Sequence, residues 1–72
     1  MEEKIIALIT RVLEVEEGTI NADTKMADVE QWDSLAHVML IGALEEELGI
    51  SIDIDAAADM TGVADIIEAA KE

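Results

Sequence analysis

The stretch WDSLAHVMLIGALEEELG, residues 32–49, decides the fold because it predicts a long helix in the middle of the chain. Asp33 or Ser34 is a credible N-cap, since a short side-chain oxygen there accepts a hydrogen bond from an otherwise unpaired backbone N–H. Gly49 stands where such a helix commonly ends. The apolar residues recur at spacings of three and four and predict one buried stripe: Leu35, Val38, Ile41, Leu44 and Leu48.

A second helix is predicted before this stretch, and a long loop joins the two. Residues 3–15 have helical periodicity, and Gly18 is placed to end that helix in the left-handed conformation. The loop then runs to about Gln31, and Asn21-Ala22-Asp23-Thr24 within it is typical of a turn. The predicted inner residues of the helix are Ile5, Ile6, Ile9, Val12 and Leu13, and the predicted loop anchors are Ile20, Met26, Val29 and Trp32.

The segment after Gly49 predicts a connector and two more helices. Ile50, Ile52 and Ile54 alternate with polar residues as in a strand, but the sequence offers no partner strand, so we expect an extended connector that buries the isoleucines. A short helix over residues 56–60 should follow an Asp55 cap, and Thr61 should cap a last helix. The predicted inner stripe of that helix is Val63, Ile66, Ile67 and Ala70. The expected fold is all-α, a single domain over residues 1–72 with three main helices and a short third one.

Ser34 is the candidate functional residue because it is predicted to lie beside a helix start and next to solvent. The first-turn N–H groups and the helix dipole favour an anion such as a phosphate there, by about 0.3–1 kcal/mol. One alternative is an ordinary helix cap without chemistry. Another is a catalytic dyad with His37, three residues further on. A serine hydrolase also needs an orienting carboxylate and an oxyanion hole in a pocket, which so short a chain can hardly build, so we expect His37 on the surface.

The triplet Asp33-Ser34-Leu35 lies within a chain that resembles an acyl carrier protein. The resemblance covers nearly the whole length: a first helix, a long loop, the D-S-L helix, and a tail from Gly49-Ile50-Ser51-Ile52 to Thr61-Gly62-Val63-Ala64-Asp65-Ile66-Ile67. It implies a small four-helix bundle that is not itself an enzyme. It also implies that a separate phosphopantetheinyl transferase, which supplies magnesium, esterifies Ser34 with the 4′-phosphopantetheine arm of coenzyme A, and that the arm carries acyl groups as thioesters.

Further site residues are implied by the same resemblance. Asp33 would help present the serine, and Leu35 would lie beside the attachment point. Glu45 and Glu46 would help to dock basic surfaces of the acyl-loading and acyl-transferring enzymes. This chain departs from many fatty acid carriers, because Ala36 and Met39 stand where those have acids. That departure argues against housekeeping fatty acid synthesis and favours partners with a more apolar contact patch. The partner enzymes implied by the resemblance belong to fatty acid, polyketide or specialised acyl metabolism.

The charge balance supports basic protein partners. The chain has 18 acidic residues against 4 basic ones, a formal net charge of -14, and no lysine or arginine between Met26 and Ala70. Nucleic acid and anionic membrane would be repelled, and mutual repulsion favours a monomer. The rival hypothesis is an acidic helical interaction module, a binder of basic proteins or a nucleic-acid mimic, with Ser34 unmodified.

The composition bears on redox chemistry, metals and location. The chain has no cysteine, so any thiol chemistry needs an attached group. The acids Asp53, Asp55 and Asp59 lack the glycine and terminal glutamate of a calcium loop, so we predict no metal site. No stretch has the features of a signal peptide or a membrane span, which predicts a cytoplasmic protein without membrane insertion.

Overall fold

The computed structural model describes residues 2–71, which form four α-helices. These are α1 (Glu2–Leu13), α2 (Ser34–Leu48), α3 (Ile54–Asp59) and α4 (Val63–Ala70), with a short 3-10 turn at Met26–Asp28 in the first loop. The α1 helix packs against both α2 and α4. The expected all-α bundle with a short third helix is therefore confirmed.

The α1 helix buries the predicted apolar face, but it ends earlier than expected. The left-handed residue that ends it is Glu14, with φ 55°, and the N–H of Val15 closes the turn by donating to the Thr10 carbonyl at 3.2 Å. Gly18 also has a positive φ of 94°, but it lies four residues further on in the loop. The buried residues of α1 are Ile5, Leu8, Ile9 and Leu13.

The long first loop is held to the bundle by the anchors that the sequence predicts. Ile20, Val29 and Trp32 are buried and Met26 is half-buried. The predicted turn at residues 21–24 is present, because the Thr24 N–H donates to the Asn21 carbonyl at 3.1 Å. The Asn21 side chain also accepts from the Asp23 N–H at 2.8 Å.

The buried face of α2 differs from the predicted stripe. His37, Leu40 and Leu44 point inward, whereas Leu35 is 70% exposed and Val38 is 68% exposed. Apolar residues lie on almost every side of this helix, so their spacing alone allowed more than one inner face. The C-terminus is as expected: Gly49 is left-handed, with φ 67°.

The connector and α3 begin differently from the prediction. Ile50 and Ile52 are buried as expected, but Ile54 is 85% exposed. The α3 helix starts at Ile54, with Asp53 and not Asp55 in the cap position. The N–H of Ala57 donates to the Asp53 carbonyl at 2.9 Å, so the helix starts two residues earlier than its run of alanines suggests.

The last helix is joined to the first loop through the backbone. The Met26 N–H donates to the Thr61 carbonyl at 2.7 Å, and the Val63 N–H donates to the Thr24 carbonyl at 2.9 Å. The predicted Thr61 cap is wrong, because Gly62 occupies the N-cap position. Val63, Ile66 and Ile67 are buried as predicted, and Ala70 is half-buried. Within residues 2–71, no helix is both long enough and apolar enough to traverse a bilayer.

Candidate functional site

Ser34 is the first residue of α2, and its side chain is exposed. Its position follows from Asp33, whose extended backbone, with φ -97° and ψ -173°, brings the loop to the helix start. The Asp33 Oδ1 atom accepts a hydrogen bond from the Ala36 N–H at 2.8 Å. Asp33 is therefore the N-cap, and the hydroxyl of Ser34 is left accessible at the positive end of the helix dipole.

An apolar surface lies next to Ser34 on α2 and α3. We define it as Leu35, Val38, Met39 and Ile54, which are 70%, 68%, 58% and 85% exposed respectively. The family resemblance singled out Leu35 and Met39, although the helical spacing placed Leu35 in the buried stripe with Val38, and Ile54 was also expected to be buried. Large apolar side chains that cluster at a surface commonly mark a contact with another molecule.

A groove of about 510 Å³ runs between α2 and α3 beside this surface. Gly42, Ala57 and Ala58 are the small residues in its lining. The groove is open at Gly42, because a Cβ added there would meet no atom within 4 Å. Glu45 is the only carboxylate among the residues that line it, within the part of the chain that the structure describes. The lining residues are His37, Val38, Ile41, Gly42, Glu45, Ile52, Ile54, Ala57 and Ala58.

His37 is not the surface residue that the sequence predicted. It is buried, and both ring nitrogens have partners: Nδ1 lies 3.1 Å from the Trp32 Nε1, and Nε2 lies 2.8 Å from the Ala57 carbonyl oxygen. A nitrogen that accepts from an indole is not free to take a proton from Ser34. The ring is therefore committed to packing, and the serine–histidine dyad lacks its base.

The three consecutive glutamates at the end of α2 have different surroundings. The Glu45 carboxylate accepts from the Ile52 N–H at 3.3 Å, which ties it to the connector. Glu47 pairs with Arg11 of α1, at 2.6 Å between Nη2 and Oε1. This hydrogen bond and the charge of Glu47 raise the pKa of Arg11. Glu46 is exposed and forms no ion pair within residues 2–71, so it is the acid of this run most available to a partner.

The electrostatic field around Ser34 is negative. No lysine or arginine occurs between Met26 and Ala70, so α2, α3 and α4 contribute only carboxylate charges. Among residues 2–71 there is no cluster of histidine, aspartate or glutamate that could hold a metal ion. A free phosphate would find no basic side chain beside Ser34, but a covalent phosphodiester needs an exposed hydroxyl and not a basic cradle. The site therefore offers an exposed serine and not a binding pocket for a free anion.

Sequence periodicity missed two features of this site. The exposure of Val38 and Ile54 was missed because an apolar residue at a helical spacing gives no sign of which face is left uncovered. The contact between Trp32 and His37 was missed because Trp32 lies in the loop before α2 and His37 lies within the helix. The helical spacing rules of three and four residues do not apply to such a pair. The one available signal was that the lone tryptophan and the lone histidine lie close together in the sequence.

Comparison with known proteins adds to this geometry. The sequence profile of a family described as "Phosphopantetheine attachment site" matches residues 3–70. Acyl carrier proteins of Rickettsia canadensis and Rickettsia rickettsii are each 33% identical over 72 residues, which is all of this chain and 84% of theirs.

Solved structures give the same picture of the fold. A chain from Mycobacterium tuberculosis assigned to the acyl carrier proteins superposes with a TM-score of 0.83 at 35% identity, covering 94% of this chain and 90% of that one. The solution structure of holo acyl carrier protein from Geobacter metallireducens has a TM-score of 0.85 at 21% identity, covering 97% of this chain and 80% of that one. At that lower identity the likeness concerns the fold alone.

Proposed function

This chain belongs to the phosphopantetheine attachment-site family, and from that premise we propose that Ser34 is the residue that bears the arm. The family carries acyl groups as thioesters on 4′-phosphopantetheine. The observation that supports Ser34 is its exposed hydroxyl at the first residue of α2, within Asp33-Ser34-Leu35. Since the chain has no cysteine, the thiol is supplied by the arm.

The residues around Ser34 have separate tasks in this proposal. Asp33 holds the start of α2 by capping it, so that Ser34 Oγ is presented to a phosphopantetheinyl transferase. There Ser34 Oγ forms the bond to phosphorus while a P–O bond of the coenzyme A pyrophosphate breaks. Adenosine 3′,5′-bisphosphate leaves, and the hydroxyl proton passes to a base of the transferase. The chain is a substrate in that step and a carrier afterwards, with the catalytic groups on its partners.

We further propose partners that have an apolar patch surrounded by basic residues. The apolar surface of Leu35, Val38, Met39 and Ile54 matches the first requirement, and the exposed Glu46 together with the uniformly negative field matches the second. Met39 and Ala36 replace charges found in many fatty acid carriers, so we place the cargo in specialised acyl metabolism. A cytoplasmic monomer with one carrier domain, which binds neither nucleic acid nor membrane, fits this role.

The test is enzymatic loading followed by the mass of the intact protein. The chain is incubated with coenzyme A, magnesium and a broad-specificity phosphopantetheinyl transferase, and we expect the gain of one phosphopantetheine. Ser34→Ala should show no gain, whereas Ser51→Ala, the other serine of the chain and also exposed, should load normally.

A wild-type chain that stays unmodified would contradict the proposal. If it also bound a basic protein tightly in that state, the acidic interaction module would be the better description. Loading that persists in Ser34→Ala would place the arm on another hydroxyl.

A further inference from the structure

The side chain of His37 joins three separate parts of the molecule. It lies on α2, contacts Trp32 in the loop before α2, and reaches Ala57 of α3. The rings of Trp32 and His37 are 6.0 Å apart between centroids and tilted by 34°. His37 is the only histidine of the chain and Trp32 its only aromatic residue, so the pair is chemically unique in this molecule.

The two partners of His37 determine its protonation state. An indole N–H only donates, so Nδ1 of His37 must accept from the Trp32 Nε1–H. A backbone carbonyl only accepts, so Nε2 of His37 must carry the hydrogen that it donates to Ala57. The arrangement is therefore satisfied by one form of the ring, the neutral tautomer with its proton on Nε2.

A proton added to Nδ1 of His37 removes the hydrogen bond from Trp32, one of the two hydrogen bonds that the ring makes. The new Nδ1–H would face the Trp32 Nε1–H, so two donors would meet without an acceptor. The Ala57 bond alone could persist, but the cationic ring would be held in a buried position. Burying a charge and orphaning a donor are both unfavourable, so protonation favours conformations in which the ring reaches water.

The α3 helix has few other attachments to the bundle. It is only six residues long, and Ala57 is its one buried residue among those that the structure describes. A helix of that length is not stable by itself. The Ala57 carbonyl that accepts from His37 also accepts from the Met60 N–H at 3.3 Å, where α3 ends. The contact with His37 therefore holds the helix at its central residue.

We propose that His37 is a pH-sensitive latch, which in its neutral form holds α3 and Trp32 against α2 and on protonation releases α3. Release widens the groove between α2 and α3, one wall of which is Ala57 and Ala58. His37 is thus a positioning residue for the wall of this groove. The latch goes beyond the proposed function, since it operates whether or not Ser34 bears an arm.

The charged groups on α2 and α3 are all carboxylates, which stabilise a cationic ring once it reaches water. The groove itself contributes Glu45. The basic residues on neighbouring elements are Lys25, seven residues before Trp32 in the first loop, and Lys4 and Arg11 on α1, which packs against α2. The acidic groups on these elements are Glu2 and Glu3 on α1, Glu14, Glu16, Glu17, Asp23, Asp28, Glu30 and Asp33 in the first loop, Glu45, Glu46 and Glu47 on α2, and Asp53, Asp55 and Asp59 at α3.

The experiment follows three signals in the unmodified chain between about pH 5 and 8, the range in which histidine gains its proton. They are the ring resonances of His37, the indole Nε1–H resonance of Trp32, and hydrogen exchange of the α3 amides corrected for its intrinsic pH dependence. We expect all three to change at one midpoint. Above that midpoint, α3 exchange should accelerate by up to about tenfold for each unit that the pH falls, as the protonated fraction grows, and below it the rate should level off.

Two variants separate a latch from a packing residue. His37→Gln offers an acceptor to Trp32 and a donor to Ala57 without titrating, so its α3 exchange and its indole resonance should be independent of pH. His37→Leu removes both bonds, so its α3 should exchange fast at every pH. If His37→Leu fails to fold, the wild-type titration and the glutamine variant still decide the matter.

Three results would overturn the latch. One is a ring ¹⁵N spectrum at pH 8 that places the proton on Nδ1. Another is titration of His37 while the Trp32 indole and α3 exchange stay constant. The third is a wild-type pH dependence that survives in His37→Gln, which would assign the change to the carboxylates. Protonation of those carboxylates relieves their mutual repulsion as pH falls, which stabilises the compact molecule and should slow α3 exchange. That change is opposite to the acceleration expected from the latch.

Discussion

The backbone carbonyl oxygen of Thr24 lies 2.7 Å from the position that a Cβ on Gly62 would occupy. This close approach exists because the first loop and the start of α4 run side by side there, joined by the hydrogen bond from the Val63 N–H to the Thr24 carbonyl. Gly62 has an extended backbone, with φ -174°, so the requirement for glycine comes from space and not from its backbone angles.

Gly62→Ala should therefore destabilise the protein by about 1–3 kcal/mol, the usual effect of forcing an extra carbon into a packed site. The measurement is chemical denaturation followed by circular dichroism. Gly42→Ala is the matched control, because its Cβ would meet no atom within 4 Å and it lies in α2. Removal of a helical glycine should stabilise the protein by about 0.5–1 kcal/mol. Equal effects of the two changes would contradict this account.

Asp33 is expected to act both as a cap and as part of the presentation of Ser34. Asp33→Ala removes the acceptor of the Ala36 N–H and should cost about 1 kcal/mol of unfolding free energy. Asp33→Asn keeps an oxygen at that position, so its stability should remain close to wild type. Initial rates of transferase loading should fall in both variants if the carboxylate itself is recognised. A loading defect confined to Asp33→Ala would mean that the cap alone matters.

Glu46 is expected to contribute to docking because its exposed side chain forms no ion pair within residues 2–71, whereas the carboxylates of Glu45 and Glu47 are engaged by Ile52 and Arg11. Glu46→Lys should raise the KM of the chain as a transferase substrate and leave kcat nearly unchanged, since it alters encounter and not chemistry. The effect should shrink as salt is added. Glu68→Lys, the same charge change on α4, is the control and should alter KM less. Equal changes in KM would indicate a response to net charge only.

The ion pair between Arg11 and Glu47 is expected to add little stability. Its side chains are 61% and 47% exposed, and exposed ion pairs add little to stability because water and salt screen their charges. Glu47→Gln should therefore shift the denaturation midpoint only slightly, and the shift should disappear at high salt. A loss comparable to that of Gly62→Ala would show that the pair is needed to align α1 with α2.

Asp65 gives the start of α4 a dependence on pH. Its carboxylate accepts from the backbone N–H of Thr61 at 2.8 Å and from the Thr61 hydroxyl at 3.0 Å, and these bonds lower the pKa of Asp65. A lowered pKa in the folded state means that the stabilisation is present above the ordinary value of 3.8 and is lost as pH falls through the folded value.

Asp65→Ala should accordingly be less stable than wild type at pH 7, by a small amount because the carboxylate is exposed to water. The two proteins should converge as pH falls through the lowered pKa of Asp65. Denaturation curves over a pH series from 7 downward measure this difference. Glu68→Ala removes one negative charge from the same helix and should not show the same pH-dependent loss. A difference that persists unchanged over the whole series would mean that the carboxylate charge is not its source.

Much of the architecture was predictable, because local physical rules act on short segments. The periodicity of residues 3–15, the turn at residues 21–24 and the left-handed Gly49 each follow from neighbouring residues. Trp32, Ile50 and Ile52 were correctly predicted to be buried, since a small bundle has few other ways to cover large apolar groups. The cap at the start of α2 was also predicted, although only the structure distinguished Asp33 from Ser34.

By itself the sequence determined the class of fold, the helix that follows Asp33, and the serine at its start, because these depend on spacing, capping and charge along the chain. The tertiary structure decided which side of α2 faces inward, and so left Leu35, Val38 and Met39 in solvent and turned His37 toward Trp32 and Ala57. A helix that is apolar on nearly all sides can be buried along several faces. The choice among them is made only when its neighbours pack against it.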